Sequence, residues 1–138
     1  MKKILVGLFS VIISLCSYAQ KHKIFTGLLY NESTKMSIHL NLDTANVKVP
    51  GLPFLGGTNG YMSNGILYGT WIVTDFKVDK NNATIRLTND FGADTQKLII
   101  THLKADTFSV ELQQPVVMRR VVKDKLVKIN PKYIFIKR

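Results

Sequence analysis

The fold is decided by the stretch ATIRLTNDFGADTQKLIITHLKADTFSVEL, which runs from Ala83 to Leu112. Apolar and polar residues alternate over 83–88 and again over 108–113, which is the period-two pattern of a strand with one buried face. A third apolar run, Gln96–Leu103, lies between them, and the turn-forming sequences NDFG and AD separate the three. The stretch therefore predicts three antiparallel strands joined by short turns.

The rest of the chain repeats this pattern. Alternation returns over 35–42, and further strand candidates are Lys23–Tyr30, Ile66–Val78, Val116–Val122, Leu126–Ile129 and Tyr133–Lys137. No segment after the N-terminal apolar run sustains the helical apolar period. Short connections favour a meander, and closure into a barrel hides strand edges that would otherwise promote aggregation. We expect an all-β fold, a small antiparallel meander barrel of about eight strands with one long Gly/Pro-rich loop, although a sandwich also fits such spacing.

The chain begins MKKILVGLFSVIISLCSYAQ, which has the layout of a secretory signal peptide. Two lysines precede the apolar run Ile4–Leu15, which is too short to cross a bilayer as a helix. A cut before Gln20 would remove residues 1–19 and leave one cysteine-free domain over 20–138. We expect an exported protein, periplasmic or secreted, without a transmembrane segment. Lipid anchoring through Cys16 is the alternative, disfavoured because Leu15 stands where a small residue is preferred.

The second half of the chain resembles a known architecture. The run Ala83–Leu112, followed by the terminal KYIFIKR, looks like the second half of small bacterial lipocalin-like domains, in which successive hairpins end with an aromatic and basic closing strand. The resemblance implies a β-barrel. One feature departs from the lipocalin pattern, because the Gly-x-Trp triplet expected near the first strand stands mid-chain as Gly69-Thr70-Trp71.

The sequence contains no local motif for catalysis or metal binding. His22, His39 and His102 each stand alone in their segments, and no serine lies in a Gly-x-Ser-x-Gly elbow. The oxygen-rich run Asn89–Gln96 does not match the spacing of a calcium loop and is typical of a hairpin turn. We therefore predict no enzyme, no catalytic residue, no metal site and no cofactor.

The most unusual segment is VPGLPFLGGTNGYMSNG, Val49–Gly65, which combines chain breakers with apolar side chains. Two interpretations are open. The loop folds back as a lid that plugs the barrel with Phe54 and Leu55, or it lines a barrel mouth that binds a small apolar molecule, because long loops on rigid scaffolds often carry binding. The predicted ligand-binding residues are Phe54, Leu55, Tyr61, Met62, Tyr68 and Trp71.

The formal net charge of +10 is concentrated near the C-terminus. Eight basic residues lie between Arg119 and Arg138, against the single acid Asp124. Such a segment suits an acidic protein, an anionic membrane or nucleic acid, and export disfavours nucleic acid. The lysines are also explained as the solvated faces and edges of strands. The alternative function is therefore a protein-interaction module, an inhibitor or immunity-type protein, that binds an acidic partner through Arg119, Arg120, Lys123 and Lys125.

Overall fold

The chain folds into a closed antiparallel β-barrel of eight strands, which confirms the predicted all-β meander. The structure is a computed structural model that describes residues 23–138. The barrel strands are β1 (Thr26–Tyr30), β2 (Ser37–Asn41), β5 (Gly60–Ser63), β6 (Trp71–Asp79), β7 (Asn82–Asn89), β8 (Thr95–Lys104), β9 (Thr107–Leu112) and β12 (Lys132–Lys137). Around the barrel their order is β1-β12-β9-β8-β7-β6-β5-β2. Barrel strands that follow one another in the chain are therefore paired, and β12 pairs with β1 to close the barrel.

Two small hairpins are inserted between barrel strands. The first joins β3 (Val47–Lys48) to β4 (Gly57–Thr58) between β2 and β5, with a 3-10 helical turn at Pro53–Leu55. The second joins β10 (Arg119–Val122) to β11 (Lys125–Lys128) between β9 and β12. Neither hairpin pairs with the barrel sheet.

Buried apolar side chains from all eight strands meet inside the barrel. The register brings Ala83, Ile100 and Val110 into one row across β7, β8 and β9, and it brings Ile85, Leu98 and Leu112 into the next row. These residues are the apolar members of the alternating sequence pattern. Burial of their side chains, at about 25 cal/mol per Å² of apolar surface, is the main stabilisation of a barrel this small.

One end of the barrel carries four of the connections between barrel strands. Because successive strands are antiparallel, alternate connections lie at the same end of the barrel. We call one end the hairpin end because it carries β10 and β11, and its connections are 31–36, 64–70, 90–94 and 113–131. Five buried residues from these connections join the core there, namely Met36, Leu67, Val116, Met118 and Ile129. The interior is therefore filled along its length and plugged at the hairpin end.

The predicted loop Val49–Gly65 is only partly a loop. Its second half contains the barrel strand β5, which pairs with β2 and β6. Gly60 has φ 151°, and a Cβ there would collide with the carbonyl oxygen of His39. This glycine allows two strands to approach closely, whereas in the sequence it looked like a chain breaker.

Several predicted strands begin later than expected. The candidate Lys23–Tyr30 starts only at Thr26. The candidate Ile66–Val78 starts only at Trp71, because Leu67 turns inward as part of the plug. The candidate Val116–Val122 starts only at Arg119. Ahead of it, the Gln96 side chain holds the chain, accepting a hydrogen bond from the Val117 N–H (2.8 Å).

The predicted signal peptide, Cys16 and His22 lie outside the described residues. Within 23–138, no helix is long and apolar enough to cross a membrane.

Candidate binding surface at the hairpin end

The β10–β11 hairpin is the most exposed regular element of the hairpin end. All eight of its strand residues are exposed. Lys123 and Asp124 form the turn with φ of 50° and 65°. Positive φ at both positions is what a two-residue type I′ turn requires, although Asn-Gly is its usual sequence. The hairpin therefore has a defined register and projects from the barrel.

The base of the hairpin is anchored to the barrel core. Ile129 donates its backbone N–H to the Met118 carbonyl oxygen at 3.1 Å, and both side chains are buried. Tyr68 donates its backbone N–H to the Arg119 carbonyl oxygen at 2.8 Å. These bonds fix where the hairpin emerges, and they leave the part beyond Arg119 without support from the core.

The hairpin combines cations with exposed apolar side chains. Its cations are Arg119, Arg120, Lys123, Lys125 and Lys128, and its exposed apolar residues are Val121, Val122, Leu126 and Val127. Among residues 23–138, no carboxylate lies within ion-pair distance of these cations. The four predicted partner-binding residues therefore belong to one element, and their positive charge faces solvent.

Both faces of the hairpin have this mixed character. Because side chains alternate along a strand, Val121 and Leu126 share one face with a pair of cations, and Val122 and Val127 share the other face with a second pair. Neither face is wholly apolar or wholly basic.

A groove of about 260 Å³ lies between this hairpin and the barrel. Its apolar walls are Tyr68, Trp71, Phe91, Val117 and Leu126, and Asp90, Asp94 and Arg119 supply charged groups. Phe91 is 74% exposed and Tyr68 is 48% exposed, so the rim is aromatic and open to solvent. Trp71 is buried at the base, where its indole N–H donates to the Tyr68 carbonyl oxygen at 3.4 Å.

The six predicted ligand-binding residues do not form one site. Tyr68 and Trp71 line the groove. Met62 points into the core and is fully buried. Tyr61 stacks on His39, with ring centroids 4.6 Å apart and ring planes 9° apart. Tyr61 also borders a second depression of about 360 Å³, which Pro50 lines.

Phe54 and Leu55 do not plug the barrel. They lie in the 3-10 turn, and 78% of Phe54 and 40% of Leu55 is exposed. The plugging interpretation is therefore wrong for these two residues, because neither side chain is buried in the barrel. Neither of them lines the groove of Tyr68 and Trp71.

Partial burial shifts the pKa of the stacked pair. Burial lowers the pKa of the His39 imidazole below its ordinary 6.5, because the charged form loses hydration. Burial likewise raises the pKa of the Tyr61 phenol above 10.0. The neutral form of each ring is therefore favoured in the fold.

Sequence reasoning missed Phe91, Val117 and the apolar residues of the hairpin. A large apolar residue inside the polar turn NDFG was a local signal for Phe91, since a turn needs no such side chain. Val117 and Leu126 gave no such signal, because valine and leucine are common in strands whether or not they line a groove. Among the described residues, no group of three or more His, Cys, Asp or Glu side chains is arranged to hold a metal ion.

Comparison with protein-family models, curated proteins and solved structures finds no match to this chain. The resemblance to bacterial lipocalin-like domains therefore rests on strand pattern alone. What the structure itself shows is the closed eight-stranded antiparallel barrel.

Proposed function

We propose that this chain is an exported, non-catalytic binding protein that recognises an acidic protein partner through the β10–β11 hairpin. The observation that carries the proposal is the hairpin itself, an anchored element whose eight strand residues are all exposed. The hairpin contains five cations and one acid, Asp124. An acidic surface would find both charge complementarity and apolar contact on the same element.

The distribution of side chains favours a protein over a membrane surface. A hairpin that binds a lipid bilayer lies on it with one apolar face and one charged face. Here cations and apolar residues share both faces, so a flat surface would contact only half of the cations and half of the apolar residues. A folded partner that contacts both faces uses the whole set. We propose an inhibitor or immunity-type role for such a contact, in which the hairpin blocks a partner enzyme or toxin.

A charge-reversal experiment tests this proposal. One variant carries Glu at Arg119, Arg120, Lys123 and Lys125. The matched control carries Glu at four exposed cations outside the β10–β11 hairpin, Lys48, Lys77, Arg86 and Lys104. The partner is captured from the exporting cell's own periplasm or medium, and its affinity is then measured by calorimetry at low and high salt. We expect affinity to fall with salt and with the hairpin variant only. Equal loss in both variants, or no loss in either, would contradict the proposal.

A second candidate function is supported by the aromatic groove. A small apolar molecule would bind between Tyr68, Phe91 and Leu126, outside the filled barrel interior. Native mass spectrometry of the protein from its own extract tests this, with Phe91→Ala compared with Phe54→Ala, an exposed phenylalanine away from the groove. A bound small molecule that is lost only from Phe91→Ala supports the ligand function. No bound mass from the unaltered protein removes it.

A further inference from the structure

The two edges of the β10–β11 hairpin differ, because among residues 23–138 the outer edge of β10 makes a backbone hydrogen bond to the β5–β6 connection and the outer edge of β11 makes none. A two-residue turn is flanked by a hydrogen-bonded pair, here Val122 and Lys125, and the pairs alternate from there. The non-hydrogen-bonded pairs are therefore Arg119 with Lys128 and Val121 with Leu126. The backbone N–H and C=O groups of these four residues point outward from the hairpin. The bond from the Tyr68 N–H to the Arg119 carbonyl oxygen agrees with this alternation.

The outer edge of β10 runs beside the barrel. Arg119 is bonded there to Tyr68, and Arg120 and Val121 line a depression shared with Gly65–Tyr68. The outer edge of β11 is different. Within residues 23–138, the outward N–H and C=O groups of Leu126 and Lys128 have no hydrogen-bond partner, and β11 pairs only with β10. An open strand edge of this kind is a template for another strand.

We propose that the outer edge of β11 binds an extended segment of the acidic partner by strand addition. This inference rests on the proposed function and specifies its mode. Backbone hydrogen bonds from Leu126 and Lys128 would hold the added strand, and its side chains would alternate between both faces of the hairpin. That geometry explains why both faces carry cations and apolar residues together.

The sequence of β11, Lys125-Leu126-Val127-Lys128, sets the chemistry of the segment. Cross-strand neighbours on one face interact directly, and opposite charges stabilise the pair. The complementary segment is acidic, apolar, apolar and acidic. On the face that carries Leu126, its apolar side chain would lie beside the groove of Tyr68 and Phe91.

A second copy of this chain is a poor occupant of the same edge. Each β10–β11 hairpin carries five cations and one acid, Asp124. Two such hairpins brought edge to edge would repel each other, because like net charges oppose association. The net positive charge of the hairpin therefore disfavours self-association and favours an acidic strand.

The test uses the protein over residues 20–138 and a synthetic peptide with the core Glu-Val-Ile-Glu between Ser-Thr and Thr-Ser flanks. The control peptide has the core Lys-Val-Ile-Lys. NMR hydrogen exchange follows individual amides while affinity is measured by titration. We expect the acidic peptide to slow exchange at Leu126 and Lys128, and the basic peptide to leave those amides unchanged. No binding of the acidic peptide, or binding without slower exchange at both amides, would overturn the proposal.

A proline variant separates the backbone contact from the side chain. Proline is tolerated at an edge position whose N–H faces outward, so Leu126→Pro removes the donor, and Leu126→Ala shortens the side chain while keeping the donor. We expect Leu126→Pro to bind the acidic peptide about tenfold more weakly than Leu126→Ala. Protection of the Arg120 amide reports whether the hairpin survives in each variant. Where it survives, equal affinities of the two variants contradict strand addition.

Two further measurements exclude other occupants. Sedimentation reports whether the free protein dimerises, and vesicles containing anionic phosphatidylglycerol report membrane binding. Slower exchange at Leu126 and Lys128 caused by dimerisation or by vesicles would overturn the proposal. Failure of strand addition is distinct from failure of the proposed function. An acidic protein that binds through hairpin charge alone would lose affinity in the charge-reversal variant and keep its affinity in Leu126→Pro.

Discussion

Tyr68 donates its backbone N–H to the carbonyl oxygen of Arg119 over 2.8 Å, and this bond joins the aromatic groove to the basic hairpin. Tyr68 precedes β6, and Arg119 begins β10, far along the chain. A single surface therefore combines two segments that the sequence presents as separate candidates. Its integrity depends on the barrel core beneath it and on the connections that plug the hairpin end.

Gln96 is expected to be a stability residue of that plug. It is 1% exposed, donates to the Gln113 carbonyl oxygen at 2.9 Å and accepts from the Val117 N–H. Gln96→Leu leaves both backbone groups without their partner, so we expect a loss of about 1–3 kcal/mol in the free energy of unfolding. Urea unfolding measures it, with Gln113→Leu as the matched control. Equal losses in the two variants would show that the Gln96 hydrogen bonds are not the cause.

Truncation of a buried phenylalanine tests the filled barrel. Phe135 is fully buried in β12, whereas Phe91 is largely exposed in the β7–β8 turn. We expect Phe135→Ala to lower the free energy of unfolding by about 3–5 kcal/mol and Phe91→Ala to change it by less than about 0.5 kcal/mol. Thermal and urea unfolding both measure the difference. Similar losses in the two variants would contradict the assigned core.

The β10–β11 turn is expected to become more stable when its two central residues are replaced. Replacing Lys123-Asp124 by Asn-Gly keeps the net charge and supplies the residues that positive φ favours. We expect slower hydrogen exchange at the Val122 amide, because a left-handed residue other than glycine costs about 1 kcal/mol. Lys123→Asn alone should give a smaller effect. Unchanged or faster exchange in the double variant would argue against the type I′ geometry.

His39 is expected to make stability depend on pH. Burial lowers the pKa of its imidazole in the fold, so the unfolded chain binds more protons. The contribution of His39 is therefore fully present above pH 6.5, its ordinary pKa, and is lost as pH falls through the lowered value. Urea unfolding across this range should show a decline that His39→Gln reduces. Tyr61→Phe, which keeps the stacked ring, should retain the decline.

Several features of this protein follow from local pattern. Alternation over 83–88 and 108–113 identified strands and their buried faces, because a strand with one face in the core must repeat every two residues. The basic run beginning at Arg119 identified the charged element, because charge is read directly from residue type. Strand pairing and barrel closure were then inferred from short connections, and the structure confirms them.

The candidate binding surface could be predicted only in part. Tyr68 and Trp71 line the groove, but Tyr61 and Met62 lie in a barrel strand. A glycine that permits close backbone approach looks the same in sequence as one in a flexible loop. Phe91 joins the groove because the β7–β8 turn lies beside the hairpin base. No local pattern encodes that proximity.

The sequence by itself determined the all-β class, the buried faces of the main strands and the position of the positive charge. These properties depend on residue type and on the two-residue period of a strand. Only the tertiary structure decided which connections plug the barrel, which aromatic residues form the groove and which hairpin edge stays open. Those features depend on contacts between residues far apart in the chain, and such contacts are set by closure of the barrel and by the packing of its core.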